Sequence, residues 1–292
     1  MRTAPQPRER GRVKRLNPTL PPETIHTNKL KALVLDWAGT TVDFGSLAPA
    51  RTLQQVFARA GIQLAEDEIR RDMGLPKKDH IGAILSIPRV RDEWLALRGR
   101  RPTSADVEHV YQQFIPLQLS CMAEYAGLIP GVSSSVQRFR ERGLKIGSTT
   151  GYTRAMLDLL LAHSAKAGYR PDCSLSPEDV GAGRPEPFML YENAVRLRVS
   201  PLASIAKVGD TPADIQEGLN AGTWSIGVAA TGNGIGLASE EFQALPLSER
   251  RTRVERARRE LKDAGAHYVV DTLAQLDPVL DDIDARLASA GR

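Results

Sequence analysis

The chain is poor in cysteine, in aromatic residues and in long apolar runs. Its 292 residues include 5% aromatics and two cysteines, Cys121 and Cys173. Two cysteines are too few for a disulfide framework, and no Cys/His cluster has zinc-site spacing, so we expect a cytoplasmic protein. No apolar run approaches the roughly 20 residues of a membrane span, and the basic N-terminus lacks the apolar core of a secretory signal. We therefore expect no membrane partner.

The net charge of +4 originates at the N-terminus. Six basic residues and one acidic residue fall within the first 15 positions, so the rest of the chain is close to neutral. A basic tail can be a nucleic-acid arm or an organelle-targeting segment. Residues 1–28, however, mix Pro, Arg, Thr and Asn without apolar periodicity. We predict that they form a disordered basic tail and that the protein binds no nucleic acid.

The stretch LDWAGTTVD, from Leu35 to Asp43, follows the first strand signal in the chain. The short apolar run that ends at Leu35 is typical of a buried strand in a parallel sheet. Ligands bind at the carboxyl ends of such strands, so Asp36 is well placed to act as a nucleophile or a metal ligand. An Asx turn or a helix cap explains Asp36 equally well from this stretch alone.

The pattern of short apolar runs and amphipathic segments divides the chain into parts. After residue 131, strands and helices alternate with short connections, which predicts an α/β fold with a doubly wound parallel sheet. Residues 46–126 carry helical patterns only. We predict a catalytic core from residues 29–45 and 127–292, with 46–126 inserted as an all-helical cap. The predicted strands are 31–35, 144–148, 173–175, 204–208, 223–228 and 267–270.

Two further segments resemble binding motifs but are better explained as structure. The glycine-rich loop, residues 231–236, fits neither common phosphate-loop spacing, which favours a flexible loop. The arginine-rich segment 250–259 has Glu249/Arg253 and Glu255/Arg259 at a spacing of four. This spacing indicates a solvated helix with ion pairs rather than a nucleic-acid helix.

Polar residues follow three more predicted strands, where they would meet Asp36. Thr150 follows one strand, Arg184 lies after the next, and Asp210 and Asp214 follow a third. Carboxylates supply the oxygen ligands that Mg²⁺ prefers, while a guanidinium and backbone N–H groups bind phosphoryl oxygens. The set therefore indicates phosphoryl-transfer chemistry, with Mg²⁺ as the expected cofactor.

Four motifs in order, LDWAGTTVD, STTGYT, GAGRPEP and KVGDTPADI, resemble those of the haloacid dehalogenase superfamily. The resemblance implies that Asp36 forms an aspartyl-phosphate. It also implies that Asp36, the main-chain carbonyl of Ala38 and Asp210 hold Mg²⁺, while Asp214 orients the metal site. Thr150, Gly151 and Arg184 would then bind the phosphoryl oxygens.

Ala38 departs from the superfamily majority. Most phosphatases of this type carry an aspartate there, which protonates the oxygen of the leaving group. Without that acid an alkoxide is difficult to expel, so the leaving group must be activated in another way. A phosphatase or phosphomutase that acts on a small phosphate ester remains the alternative.

The runs DWAGTTVDFGSLAP, MGLPKKDH and GSTTGYT closely resemble one family within the superfamily, the phosphonoacetaldehyde hydrolases or phosphonatases. The resemblance implies hydrolysis of phosphonoacetaldehyde, a step in 2-aminoethylphosphonate degradation, by a homodimer. It also implies that Lys77 forms a Schiff base with the aldehyde. The imine would let carbon leave phosphorus as an enamine rather than a carbanion, which accounts for Ala38.

The remaining roles in the site depend on Lys77. His80 lies three residues further along the same predicted helix and is expected to shuttle protons, while Tyr152 would help to position Lys77. The amine must be neutral to attack an aldehyde. We expect desolvation, together with the charges of Lys78 and Mg²⁺, to lower its pKa. We expect Ser46 to act as a linker and Met73 as a core residue.

Overall fold

A six-stranded, all-parallel sheet forms the centre of the protein in the computed structural model, which describes residues 29–290. The strands are β1 (Ala32–Leu35), β2 (Lys145–Thr149), β3 (Cys173–Leu175), β4 (Ile205–Gly209), β5 (Trp224–Val228) and β6 (Tyr268–Val270). Their order across the sheet is β3-β2-β1-β4-β5-β6. The predicted α/β class and parallel sheet are confirmed. The predicted tail, residues 1–28, lies outside the described residues.

Strand β1 lies at the middle of the sheet, and every one of its residues is apolar. All four are buried, with Leu33 and Leu35 in one apolar cluster and Ala32 and Val34 in another. This alternation covers both faces of the strand with packed side chains. β1 pairs with β2 on one side and with β4 on the other, so the carboxyl ends of these three strands lie at one edge.

Residues 46–126, which lie between β1 and β2, contain five helices and no strand. They are α1 (Leu47–Arg59), α2 (Glu66–Arg70), α3 (Lys77–Ser86), α4 (Pro88–Arg98) and α5 (Ser104–Tyr125). The long helix α5 packs against α1 and α3. We call residues 46–126 the cap and the remaining described residues the core. The division into domains stays a prediction.

The core helices lie between and after the strands, as a doubly wound sheet requires. They are α6 (Val132–Glu141), α7 (Arg154–Lys166), α8 (Pro177–Val180), α9 (Phe188–Leu197), α10 (Pro212–Ala221), α11 (Ser239–Ala244), α12 (Leu247–Asp263) and α13 (Leu276–Ala290). The short helices α8 and α11 were not predicted. Among the described residues, no helix is both long and apolar enough to cross a membrane.

The two segments that resembled binding motifs have different outcomes. The arginine-rich segment lies within α12, and Arg253 contacts Glu249 at 3.2 Å, so the predicted helix is confirmed. The glycine-rich loop differs from the expectation because it packs closely instead of extending into solvent. Thr231, Gly232 and Asn233 are buried, and the side chains of Thr231 and Asn233 donate to the carbonyls of Gly39, beside the strand edge, and Arg70, in the cap.

Candidate active site

Three aspartates meet where β1 and β4 end. Asp36 follows β1 directly, Asp210 follows β4 directly, and Asp214 lies in the first turn of α10. One carboxylate oxygen from each lies within 4.8 Å of the others, and all three residues are buried. The sheet topology causes this convergence because β1 and β4 are neighbouring parallel strands.

Asp210 is held by neutral donors only. The hydroxyl of Thr40 donates to one carboxylate oxygen at 2.9 Å, and the backbone N–H of Asn233 donates to the other at 2.7 Å. Within the described part of the chain, no side-chain cation lies within 4 Å of this carboxylate. Burial raises the pKa of Asp210 well above its usual value, and the charges of Asp36 and Asp214 add to the rise.

Asp214 is stabilised by two cations and by its own helix. Its Oδ1 lies 3.0 Å from Nη1 of Arg184 and 2.7 Å from Nζ of Lys207. Burial raises the pKa of Asp214, but these two charges outweigh that effect and hold it below its usual value. Its Oδ2 accepts a 2.6 Å hydrogen bond from the hydroxyl of Thr211, the N-cap of α10. Asp214 is therefore fixed in one orientation.

Arg184 connects the nucleophile candidate to the rest of the network. Its Nη2 donates to Asp36 at 2.6 Å and to the carbonyl of Thr149 at 2.7 Å, while Nε donates to Glu217 at 3.0 Å. With Nη1 beside Asp214, every guanidinium nitrogen already has a protein partner. Phosphate binding by Arg184, as predicted, would therefore require it to exchange at least one of these contacts.

Sequence reasoning missed Lys207, Glu217 and Thr149. Lys207 lies on β4 with no exposed surface, and its Nζ donates to Thr149 at 2.9 Å and lies 3.3 Å from Glu217. A lysine inside an apolar strand segment, and a glutamate three residues after Asp214, were the available signals. The sequence around Lys207 and Glu217 does not by itself indicate a chemical role for either residue.

The donor set fits a divalent cation that prefers oxygen ligands. Asp36, Asp210, Asp214 and Glu217 carry four negative charges when ionised. Arg184 and Lys207 compensate two of these, as the ion pairs show. Without Lys77, the four carboxylates and two cations leave an excess of two negative charges, which matches one divalent ion, and Asp210 lacks a cationic partner in the described chain. Burial also raises the pKa of Asp36, although Arg184 opposes the rise, and a bound cation would favour its ionised form.

Lys77 is the first residue of α3 and is buried in the site. Only 5% of the residue is exposed, and its Nζ lies 5.1 Å from the centre of the Tyr152 ring. Burial, opposed mainly by the charge of Asp36 and reinforced by that of Arg184, lowers the pKa of Lys77 to about 8. The prediction that the charge of Lys78 helps to lower the pKa of Lys77 is wrong, because Lys78 lies on the surface, 2.5 Å from Glu108.

His80 lies one helical turn after Lys77, fully buried. Its Nε2 lies 2.8 Å from the carbonyl of Ile69, and because a carbonyl only accepts, Nε2 carries the proton. Nδ1 has no hydrogen-bond partner among the described residues. Burial, with the charge of Lys77, lowers the pKa of His80 to about 3, so the ring is neutral near pH 7. The proton-shuttle role stays a prediction.

A small cavity brings most of the predicted residues together. It is lined by Asp36, Ala38, Ser46, Pro49, Met73, Gly74, Lys77, Thr150, Gly151, Tyr152, Arg184 and Thr211. Lys77 and Asp36 thus face one space from the cap and the core respectively. The void of about 20 Å³ has room for roughly one water molecule. The void as it stands therefore does not hold a molecule larger than water.

The cap approaches the core closely beside Lys77. A Cβ on Gly151 would lie 2.5 Å from the carbonyl oxygen of Leu75, and one on Gly183 would clash with the ring of Pro76. Both positions therefore accept only glycine, because the backbone of Leu75 and the ring of Pro76 occupy the space. Gly151 contributes to the site through this close approach, and Thr150 accepts a 3.1 Å hydrogen bond from the N–H of Tyr152.

Comparisons with known proteins agree with this geometry. The profile of haloacid dehalogenase-like hydrolases matches residues 30–222. A phosphonoacetaldehyde hydrolase of Syntrophobacter fumaroxidans is 44% identical over 90% of this chain and 95% of its own. That of Bacillus cytotoxicus is 42% identical over 88% of this chain and 97% of its own.

Solved structures give the same result. A phosphonoacetaldehyde hydrolase-like protein from Oleispira antarctica has a TM-score of 0.87 and 38% identity, covering 89% of this chain and 94% of its own. A putative phosphoglycolate phosphatase from Lactobacillus delbrueckii has a TM-score of 0.63 and 20% identity, covering 86% of this chain and 98% of its own, which shows the shared fold alone. The chain therefore belongs to the phosphonoacetaldehyde hydrolase family of the haloacid dehalogenase superfamily.

Proposed function

We propose that the protein hydrolyses the P–C bond of phosphonoacetaldehyde to give acetaldehyde and phosphate. One observation carries the proposal beyond family membership. The buried amine of Lys77 shares a small cavity with Asp36, and Ala38 stands where an acid for an oxygen leaving group would be. A site with an amine and without that acid suits an aldehyde substrate better than a phosphate ester.

The reaction would begin with an imine on Lys77. The neutral amine adds to the aldehyde carbon and water leaves, which produces a protonated imine two atoms from phosphorus. A pKa of about 8 leaves roughly one amine in ten neutral at pH 7. The face of the Tyr152 ring, 5.1 Å from Nζ, would stabilise the positive imine by a cation–π interaction. His80 would serve the proton transfers.

Cleavage would follow by attack of Asp36 on phosphorus. As the Asp36–phosphorus bond forms, the P–C electron pair moves toward the imine nitrogen and leaves a neutral enamine. Protonation at carbon and addition of water then release acetaldehyde and regenerate Lys77, while a second water splits the aspartyl-phosphate. Thr150, Gly151 and Arg184 would hold the phosphoryl oxygens through these steps.

Several further proposals come from family membership. We propose that Mg²⁺ is the metal, held by Asp36, the Ala38 carbonyl and Asp210 and oriented through Asp214. A bound Mg²⁺ would neutralise charge on the phosphoryl oxygens. We also propose a homodimer that acts in the cytoplasm during 2-aminoethylphosphonate degradation. The oxygen-only donors and the two excess negative charges support the metal proposal.

A phosphate-release assay tests the function directly. We expect release from phosphonoacetaldehyde and little from simple phosphate esters. The reverse preference would favour the alternative, a phosphatase or phosphomutase. Lys77→Arg should be inactive because a guanidinium does not form the imine, whereas Lys78→Arg, on the surface, should be nearly normal.

Borohydride trapping tests the imine itself. Reduction in the presence of phosphonoacetaldehyde should leave one covalent adduct, which peptide mapping places on Lys77. An adduct on Lys78, or full activity without any adduct, would contradict the assignment of the amine.

A further inference from the structure

The glycine-rich loop, residues 231–236, has no part in the reaction proposed above, yet it contacts both the cap and the acidic site. Its Asn233 N–H donates to Asp210 at 2.7 Å. The carbonyl of Thr231 accepts a 2.8 Å hydrogen bond from the N–H of Gly45, in the segment that leads from β1 into the cap. The loop is therefore placed between the metal-ligand candidate and the cap.

Arg70, the last residue of α2, is the cap residue that binds this loop. Its Nη1 donates to the carbonyl of Gly45 at 3.0 Å and to Oδ1 of Asn233 at 3.1 Å, and its Nη2 donates to the carbonyl of Gly236 at 3.3 Å. In return, Nδ2 of Asn233 donates to the carbonyl of Arg70 at 3.0 Å. The side chain is only 13% exposed. These reciprocal contacts cross from the cap to the core.

The same helix leads directly into the reactive lysine. Only residues 71–76 separate Arg70 from Lys77, and the end of that connection, at Leu75 and Pro76, rests on the core beside the cavity. Fixing the end of α2 on the core therefore restricts where the connection can place Lys77. The salt bridge from Arg70 to Glu66, at 2.9 Å, lies within the cap and does not depend on closure.

We propose that Arg70 is a positioning residue that locks the cap onto the glycine-rich loop, so that Lys77 faces Asp36 in the closed site. The existence of the lock is inferred from these contacts alone. Its importance for turnover rests on the proposed function, since that reaction needs groups from both the cap and the core. Substrate entry requires the lock to open, because the closed cavity holds roughly one water molecule.

The neighbouring Arg71 provides a matched control. Its side chain is 56% exposed, and its guanidinium lies 4.0 Å from Asp67 of the same helix. Within the described residues it makes no hydrogen bond or ion pair to the core. Arg70→Ala and Arg71→Ala remove the same charge one position apart, so effects of net charge and of helix propensity are similar in both variants.

Hydrogen–deuterium exchange on the free protein tests the lock without any substrate. We expect Arg70→Ala to raise amide exchange in residues 71–77 and 231–236 roughly tenfold, the size expected from losing charge-assisted hydrogen bonds. Peptides from β1 and β4 should exchange as in the wild type, and Arg71→Ala should exchange as the wild type throughout. Unchanged exchange in Arg70→Ala, an equal rise in Arg71→Ala, or a rise across the whole sheet would overturn the proposal.

Asn233→Ala removes the other side of the lock. It should raise exchange in the same peptides, and combining it with Arg70→Ala should add little, because both variants break one set of contacts. Full additivity would overturn the reciprocal lock. Arg70→Lys should recover part of the protection, since an ammonium can reach one carbonyl but not all four core acceptors of the guanidinium.

Kinetics then connect the lock to the reaction. Arg70→Ala should lower kcat/KM for phosphonoacetaldehyde at least tenfold, with Arg70→Lys intermediate and Arg71→Ala like the wild type. Failure of the wild type to cleave phosphonoacetaldehyde would refute the proposed function but leave the exchange result intact. Normal exchange and kinetics in Arg70→Ala would refute the lock and leave the proposed function standing.

Discussion

Replacing Lys77 with methionine should inactivate the protein and at the same time make it more stable. Methionine keeps an unbranched apolar stem of similar length and removes the charge. The pKa of Lys77 is about 8 in the folded protein, against 10.5 for an ordinary lysine. Because each pKa unit corresponds to about 1.36 kcal/mol, burying the ammonium costs about 3 kcal/mol at pH 7. We expect Lys77→Met to raise the free energy of unfolding by up to that amount.

The pH dependence of the gain has a definite sign. The folded state holds the Lys77 proton less tightly than the unfolded state does, so the wild type becomes more stable as the pH rises from about 8 to 10.5. The penalty is fully present below pH 8 and absent above 10.5. The difference between Lys77→Met and the wild type should therefore shrink to less than half by about pH 9.5.

Urea unfolding of the wild type, Lys77→Met and Lys78→Met at pH 7 and pH 9.5, without metal or substrate, measures both effects. Lys78→Met is the control, because Lys78 lies on the surface and pairs with Glu108, and little change is expected at either pH. If Lys77→Met is no more stable than the wild type at pH 7, then burial of the Lys77 ammonium does not destabilise the folded protein. A gain that is equal at both pH values would show that methionine packs better and that charge is not the cause.

Three other predictions concern the metal, the histidine and the tail. Asp210→Ala should abolish Mg²⁺-dependent phosphate release without lowering Tm, and wild-type rates in excess chelator would contradict a metal. His80→Gln, which keeps an N–H donor for the Ile69 carbonyl, should lower kcat about 100-fold at unchanged Tm if His80 moves protons; a normal kcat and pH profile would leave His80 a structural role. Deleting residues 1–28 should leave turnover and Tm nearly unchanged, and salt-dependent DNA binding confined to the full-length chain would reverse this expectation.

Local signals were sufficient for most elements of the fold. The strand Cys173–Leu175 and the helix Pro212–Ala221 were predicted at both bounds, because a proline or a glycine lies at or near each end. The last helix was less accurate, with residues 271–287 predicted and Leu276–Ala290 observed. A short 3₁₀ turn, Leu273–Gln275, precedes it, and helical periodicity does not separate such a turn from the helix.

The site was predictable where topology alone brings residues together. Asp36 and Asp210 had to meet, since they end neighbouring parallel strands. Lys207 and Arg70 could not be identified, because a charged residue is recognised as buried only when its partners are known. Lys207 pairs with Asp214, which belongs to the following helix. Arg70 pairs with Asn233, which is remote in the sequence.

The charges of the site explain why Arg184 and Lys77 have different roles in it. Arg184 contacts three of the four buried carboxylates, and a guanidinium does not lose its proton at physiological pH, so this compensation is permanent. With Lys207 and one divalent cation, the four carboxylates are neutralised without any contribution from Lys77. An ammonium on Lys77 would then add an uncompensated charge to a closed cavity, which favours the neutral amine. In the proposed reaction Lys77 would therefore serve as a nucleophile rather than as a counter-ion, which agrees with the burial that lowers its pKa to about 8.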